Sequence, residues 1–257
     1  YDLFMAPETP ICRDSAPDIA EIPAERATNV AAYRSDEAVR LYTTDSALTD
    51  VEQHLIASHF SPDGRVLDLA CGAGRTTGPL HAAGFTVTGI DLSSPLIEAA
   101  RQRFPDLDLR VGDFSDLDLP DASYDAVLIS FNGLDYAFPA SQRARALREC
   151  ARVLVPGGRL IFSSHNIKAL HASPYFIRHR QRLVWMLRSA TTAFRRAAYV
   201  EDLNGQWTYF ASPARTRAEL DDAGFDLIDT VGFRRSRNRL FNLYCSPWVH
   251  YVGHRRR

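Results

Sequence analysis

Short apolar runs alternate with amphipathic stretches through the middle of the chain. Strands are predicted at Arg65–Leu69, Thr86–Ile90, Leu107–Val111, Ala126–Ser130 and Arg159–Ser163. Between them, helical periodicity covers Thr77–Ala83, Ser94–Phe104 and Ala140–Val153. Strand and helix in turn imply βαβ units, hence a parallel sheet with helices on both faces. Before the first strand, Leu48, Val51, Leu55 and Ile56 recur at helix spacing within residues 28–60. Residues 1–27, with Pro7, Pro10, Pro17 and Pro23 among acids, read as an irregular arm, and residues 28–257 as one domain. The rhythm fails over residues 168–212, where no strand is evident. It resumes with a helix at Thr216–Ala223 closed by Gly224, a strand at Phe225–Val231, and apolar segments at Leu240–Tyr244 and Trp248–Val252.

The first strand runs directly into a small-residue turn, Leu69-Ala70-Cys71-Gly72-Ala73-Gly74-Arg75, and the second ends on an acid, Gly89-Ile90-Asp91. That order suits a nucleotide-like ligand over the carboxyl edge of a parallel sheet, with Asp91 accepting hydrogen bonds from ribose hydroxyls. Asp91 also suits a helix start before Ser93-Ser94-Pro95. A dinucleotide site asks for a third glycine where Thr77 stands; Gly78 comes one position late. Asp68 would repel a pyrophosphate and welcome a cation, which points away from NAD.

These residues resemble the first motif of the class I S-adenosylmethionine-dependent methyltransferases, acid-x-Gly-x-Gly-x-Gly. Asp68, Gly72 and Gly74 match, and Ala70 replaces the first glycine, a mild departure if the backbone there avoids positive φ. The similarity continues through Gly89–Ser93, Val111–Phe114, Tyr124–Ser130 and Val153–Ile161. It implies a Rossmann-like, mostly parallel seven-stranded α/β sheet with its last strand antiparallel, an N-terminal lid, and an insertion at about 168–212 between strand five and the following helix. It also implies S-adenosyl-L-methionine as cofactor. Its expected contacts are Ala70, Gly72, Gly74, Asp91, Leu92, Gly112, Asp113 (to the adenine amino group), Phe114, Ser130 and Phe131. Tyr33, Tyr42, Arg34, Arg40 or Arg75 would meet the methionine carboxylate.

The acceptor belongs beyond strands four and five, where two loops, Ser130–Tyr136 and Ser163–Asn166, arrive. His165 is the expected general base if the acceptor is a hydroxyl, with Asp135 and Tyr136 orienting or binding the acceptor. The plain alternatives are a loop histidine that anchors the insertion, a helix cap and a packing aromatic. Within the insertion, Arg178, Arg180, Arg182, Arg188, Arg195 and Arg196 interleave with Leu183, Trp185, Leu187 and Phe194. This reads as a lid helix, or, together with Arg234, Arg235, Arg237 and Arg239, as a cradle for an anionic acceptor.

Composition narrows little. The 257 residues carry a formal net charge of -1, 46% apolar and 24% charged residues, and Lys168 is the single lysine. Bulk charge therefore favours neither nucleic acid nor an anionic membrane. Cys12, Cys71, Cys150 and Cys245 form no C-x-x-C pair, which argues against zinc and against a disulfide framework, and a reducing cytoplasm is the expected home. No His/Asp/Glu grouping has metal-ligand spacing. The expected activity is methyl transfer to an oxygen or nitrogen of a small molecule, a natural-product, antibiotic or sugar intermediate. An RNA methyltransferase, a lipid-headgroup methyltransferase and a non-catalytic cofactor-binding module are the alternatives.

Overall fold

The computed structural model describes residues 24–44, 47–169, 197–201 and 206–257. Five parallel strands form its centre: β1 (Arg65–Leu69), β2 (Thr86–Asp91), β3 (Asp108–Val111), β4 (Tyr124–Ile129) and β5 (Leu154–Asn166), in the order β3-β2-β1-β4-β5. Strands buried on both faces read as continuous apolar runs, and β1 shows why. Val66 packs with Leu55, Ile56, Leu80 and Val87 on one face, whereas Leu67 and Leu69 pack with Val127, Leu147 and Phe162 on the other.

Six helices precede or cross over this sheet: α1 (Ala24–Tyr33), α2 (Asp36–Thr43), α3 (Asp50–His59), α4 (Thr77–Ala82), α5 (Ser94–Arg103) and α6 (Ala140–Val153). Their starts are chemically marked. Thr49 and Glu52 form a reciprocal capping box on α3, and Ser93 caps α5 with Pro95 in its first turn.

Strand β9 (Trp248–Arg255) runs antiparallel to both β5 and β8 (Phe225–Gly232), giving the antiparallel closing strand expected. Helices α7 (Pro213–Asp222) and α8 (Arg239–Tyr244) flank β8. Three expectations need correction. Strands β6 (Ala197–Glu201) and β7 (Trp207–Ala211) form a hairpin inside the stretch expected to lack strands, so the described residues hold nine strands, not seven. The hairpin joins the sheet where Phe210 and Ala211 pair with His165 and Asn166. Ser163–Asn166 is consequently the end of β5, not a loop. Helix α1 begins at Ala24, four residues before the expected Thr28, and the apolar segment at 240–244 is helical.

Candidate active site

The carboxyl ends of β1, β2, β3 and β4 open into a cavity that residues of α1 and α2 also line. Its floor is the turn after β1. Ala70, Gly72 and Gly74 adopt φ of 54°, 56° and 83°. The expectation that Ala70 avoids positive φ is therefore wrong: the left-handed geometry is kept, at a cost of about 1–2 kcal/mol for a residue bearing a Cβ. Gly133 makes room opposite, because a Cβ there would lie 2.9 Å from that of Ala70. At Gly72 the position of a Cβ is open space, the cradle a close-lying ligand needs.

Asp91 lines the cavity. One of its oxygens accepts the Gly72 N–H at 2.9 Å and the other the Ser93 N–H at 2.8 Å. Burial pushes its carboxyl above the usual range. Asp113 holds Ser115 through the latter's N–H and hydroxyl, both at 2.8 Å. Leu92, Leu96 and Phe114 contribute apolar wall. Gly74 and Gly112 are not among the lining residues. Gly74 lies against the Phe104 ring, 2.8 Å from where its Cβ would be, and the Gly112 N–H donates to the Asp91 carbonyl.

Asp68 also departs from expectation. It is wholly buried beneath the turn, where one oxygen accepts hydroxyls from Thr76 at 2.6 Å and Thr77 at 2.7 Å. Burial raises its carboxyl to about 6 despite those bonds. It fixes the start of α4 and does not face the cavity, so its charge is no argument about the ligand.

Arg75 reaches the cavity with its charge already met. Its guanidinium donates to both Glu52 oxygens, at 2.7 and 3.0 Å, and to the Ala47 carbonyl at 2.7 Å. The Ser130 hydroxyl bridges Arg75 and Glu52, and Phe131 lies over the guanidinium at 3.6 Å. Burial alone would raise the Glu52 carboxyl; Arg75 overrides it and holds it below the ordinary value. The pair ties α3 to the glycine turn, which removes Arg75 as a free partner for a carboxylate. Arg40 is exposed, and Arg34 donates to the Leu92 carbonyl at 3.4 Å.

Tyr33, Tyr42 and Tyr136 form an aromatic group in the cavity wall, with Tyr33 5.9 Å from Tyr42 and 5.4 Å from Tyr136. Burial raises all three phenols. Helix α1 is fastened on both sides of the opening. Ser93 donates its hydroxyl to the Tyr33 carbonyl at 2.8 Å. Asn29 accepts the Trp207 N–H at 2.7 Å and donates to the Trp207 carbonyl at 2.8 Å.

On the acceptor side, the structure joins Asp135 to His165. One Asp135 oxygen accepts the His165 backbone N–H at 2.7 Å and stands 2.8 Å from its Nδ1; the other accepts Arg143 at 2.7 Å and the Ser164 hydroxyl at 2.6 Å. A carboxylate only accepts, so the proton lies on Nδ1 and Nε2 is the accepting nitrogen. Nε2 stands 3.3 Å from Asn132 Nδ2. Asp135 is fully buried, which corrects its expected contact with an acceptor: it holds His165 instead. His165 is largely buried against Phe210 and is not among the cavity-lining residues, whereas Tyr136 is. The arginines at 178–196 lie outside the described residues. Of the remaining four, Arg237 pairs with Asp229 at 3.0 Å.

Sequence reasoning missed Asn29, Glu52, Ser115, Gln142 and Arg143. Only Glu52 carried a local signal, the Thr49-x-x-Glu52 spacing of a capping box. Arg143 is buried between Asp135 and Glu219, at 2.7 and 3.0 Å, and burial opposed by those two carboxylates leaves its guanidinium above the ordinary value.

A small-residue turn and a buried acid at the carboxyl edge of an open parallel sheet define a nucleoside-binding α/β protein. Residues 66–158 match the family described as a methyltransferase domain, and over that stretch the chain is similar to the class I S-adenosylmethionine-dependent methyltransferases. A demethylmenaquinone methyltransferase of Renibacterium salmoninarum is 39% identical over 100 residues, 39% of this chain and 40% of the relative. The chain thus spans less than half of the curated relatives it matches. Among solved structures, a methyltransferase from Methanosarcina mazei superposes with TM-score 0.62 at 21% identity, covering 81% of this chain and 98% of the other. The Burkholderia thailandensis 1,6-didemethyltoxoflavin-N1-methyltransferase, solved with its acceptor and S-adenosylhomocysteine, gives TM-score 0.62 at 19% identity, covering 90% and 87%. These two likenesses establish the fold.

Proposed function

We propose that this protein transfers a methyl group from S-adenosyl-L-methionine to an oxygen or nitrogen of a small molecule, a natural-product or sugar intermediate. Asp91 would take the ribose hydroxyls, Asp113 and Phe114 the adenine, and Tyr33 and Tyr42 the methionine end. The bound cofactor supplies a methyl group already activated on a sulfonium. What remains for the protein is alignment, exclusion of water and, for a hydroxyl acceptor, removal of one proton.

The observation that carries the acceptor-side reading is the hydrogen bond between His165 Nδ1 and the buried Asp135 carboxylate. It sets the tautomer whose Nε2 takes a proton, and Arg143 and Ser164 fix the carboxylate that sets it. Proton transfer from the acceptor hydroxyl to Nε2 would leave the oxygen nucleophilic toward the methyl group that the bound cofactor supplies.

The test is transfer of labelled methyl to a panel of hydroxyl and amine acceptors, with demethylmenaquinone included because the Renibacterium relative is named for it. His165→Ala should lose about 10²–10⁴-fold in turnover of a hydroxyl acceptor while keeping its affinity for S-adenosylhomocysteine. Unchanged turnover would leave His165 as an anchor of β5 and reduce the mechanism to positioning and desolvation.

A further inference from the structure

The carboxyl edge of the sheet carries a surface that the methyl-transfer reading does not use. Residues 232–247 contain Arg234, Arg235, Arg237 and Arg239 and no acid. Arg237 is engaged with Asp229, but no carboxylate lies within ion-pair distance of Arg234, Arg235 or Arg239 among the described residues. All three are exposed, and Arg234 and Arg235 both hold left-handed backbone, φ 55° and 60°. Helix α8 follows at once and turns Leu240, Phe241 and Tyr244 to solvent at 69%, 39% and 51% exposure. Spacing of i, i+1 and i+4 puts these three on one side of a short helix.

This surface is rigidly mounted beside the proposed acceptor site. Asn166, the residue after His165, donates its side-chain amide to the carbonyls of Asn242, Leu243 and Ser246 at 2.9–3.1 Å, closing the end of α8. Asn238 caps its start through the Phe241 N–H at 3.0 Å. The Phe233 ring packs edge-on to Trp248 at 5.1 Å and anchors the arginine turn.

We infer that the 234–244 surface docks the protein on an anionic lipid bilayer, with α8 seated at the headgroup boundary and the arginines on lipid phosphates. Unpaired guanidinium groups beside exposed aliphatic and aromatic side chains match a charged interface over an apolar interior. A nucleic acid would use the arginines and Tyr244 but leave Leu240, the most exposed of the apolar residues, with nothing to stack on. No helix among the described residues is long and apolar enough to cross a membrane. Docking does not depend on the methyl-transfer reading; on that reading, it delivers the acceptor from the lipid phase.

The experiment is co-sedimentation of the full chain with phosphatidylcholine vesicles, with and without phosphatidylglycerol. Pelleting should require the anionic lipid and fall as salt rises. Arg235→Gln with Arg239→Gln should weaken it about 30-fold, since one arginine near an anionic surface contributes about fivefold. Leu240→Ser with Phe241→Ser should weaken it independently. All variants should bind S-adenosylhomocysteine as the parent does, which verifies folding and separates this inference from the cofactor reading. The inference is overturned by equal binding to neutral and anionic vesicles, by no binding, by pelleting indifferent to the substitutions, by oligonucleotides held more tightly than vesicles, or by a dimer that buries α8.

Discussion

Replacing Asp91 by alanine probes the cavity most selectively. Each Asp91 oxygen accepts one backbone N–H, from Gly72 or Ser93, and a carboxylate offers about four acceptor sites in all. Two therefore remain for the two ribose hydroxyls. Hydrogen bonds to a charged group contribute about 1.5–3 kcal/mol each. Water enters the open cleft of the variant and recovers part of that, so the net loss should be about 2–3 kcal/mol, or about 30–150-fold in Kd. Calorimetric titration with S-adenosylhomocysteine measures it, and a thermal melt establishes that the turn still folds. An analogue lacking both ribose hydroxyls should bind parent and variant alike. A folded Asp91→Ala protein with unchanged affinity for S-adenosylhomocysteine would refute the ribose assignment.

Two further outcomes follow from the buried charges around the turn. Arg75→Met strands the Glu52 carboxylate and should destabilise the protein by about 3–5 kcal/mol, whereas adding Glu52→Leu should restore most of it; denaturant titration of the four proteins reads the cycle, and additive losses would contradict the pairing. Asp68 keeps a proton up to about 6 when folded and only to about 3.9 when unfolded. Across that window the folded state binds more protons, so stability is highest on the acid side and declines as pH rises, by about 3 kcal/mol in full. Asp68→Asn should flatten the stability profile by that amount between about pH 4 and 6, and parallel profiles would count against a protonated Asp68.

The central sheet was legible because its strands are buried on both faces. Arg65–Leu69 and Ala140–Val153 have the same bounds in sequence and structure, one a short strand with Val66, Leu67 and Leu69 as its apolar positions, the other a long periodic stretch. The hairpin of β6 and β7 was not legible, since rings distant in sequence support it: Phe138 packs on Tyr199 at 4.8 Å and on Trp207 at 5.7 Å. Period alone misplaced charge. Asp68 read as an acid facing the ligand and Arg143 drew no reading at all, yet each is buried with partners eight residues away or more. Ala70 shows a local rule overridden by context, because the space left by Gly133 lets a Cβ occupy left-handed backbone. The Asp135–His165 contact joins residues 30 apart, and only the register that sets β5 beside the turn after β4 reveals it.

The most direct measurement is calorimetric titration of the unmodified protein with S-adenosylhomocysteine, NADH and FAD in parallel. Saturable one-to-one binding of S-adenosylhomocysteine, with neither dinucleotide competing, is the predicted result. Tight uptake of NADH or FAD, with no heat from S-adenosylhomocysteine, would contradict a methyl-donor site over the Gly72 turn.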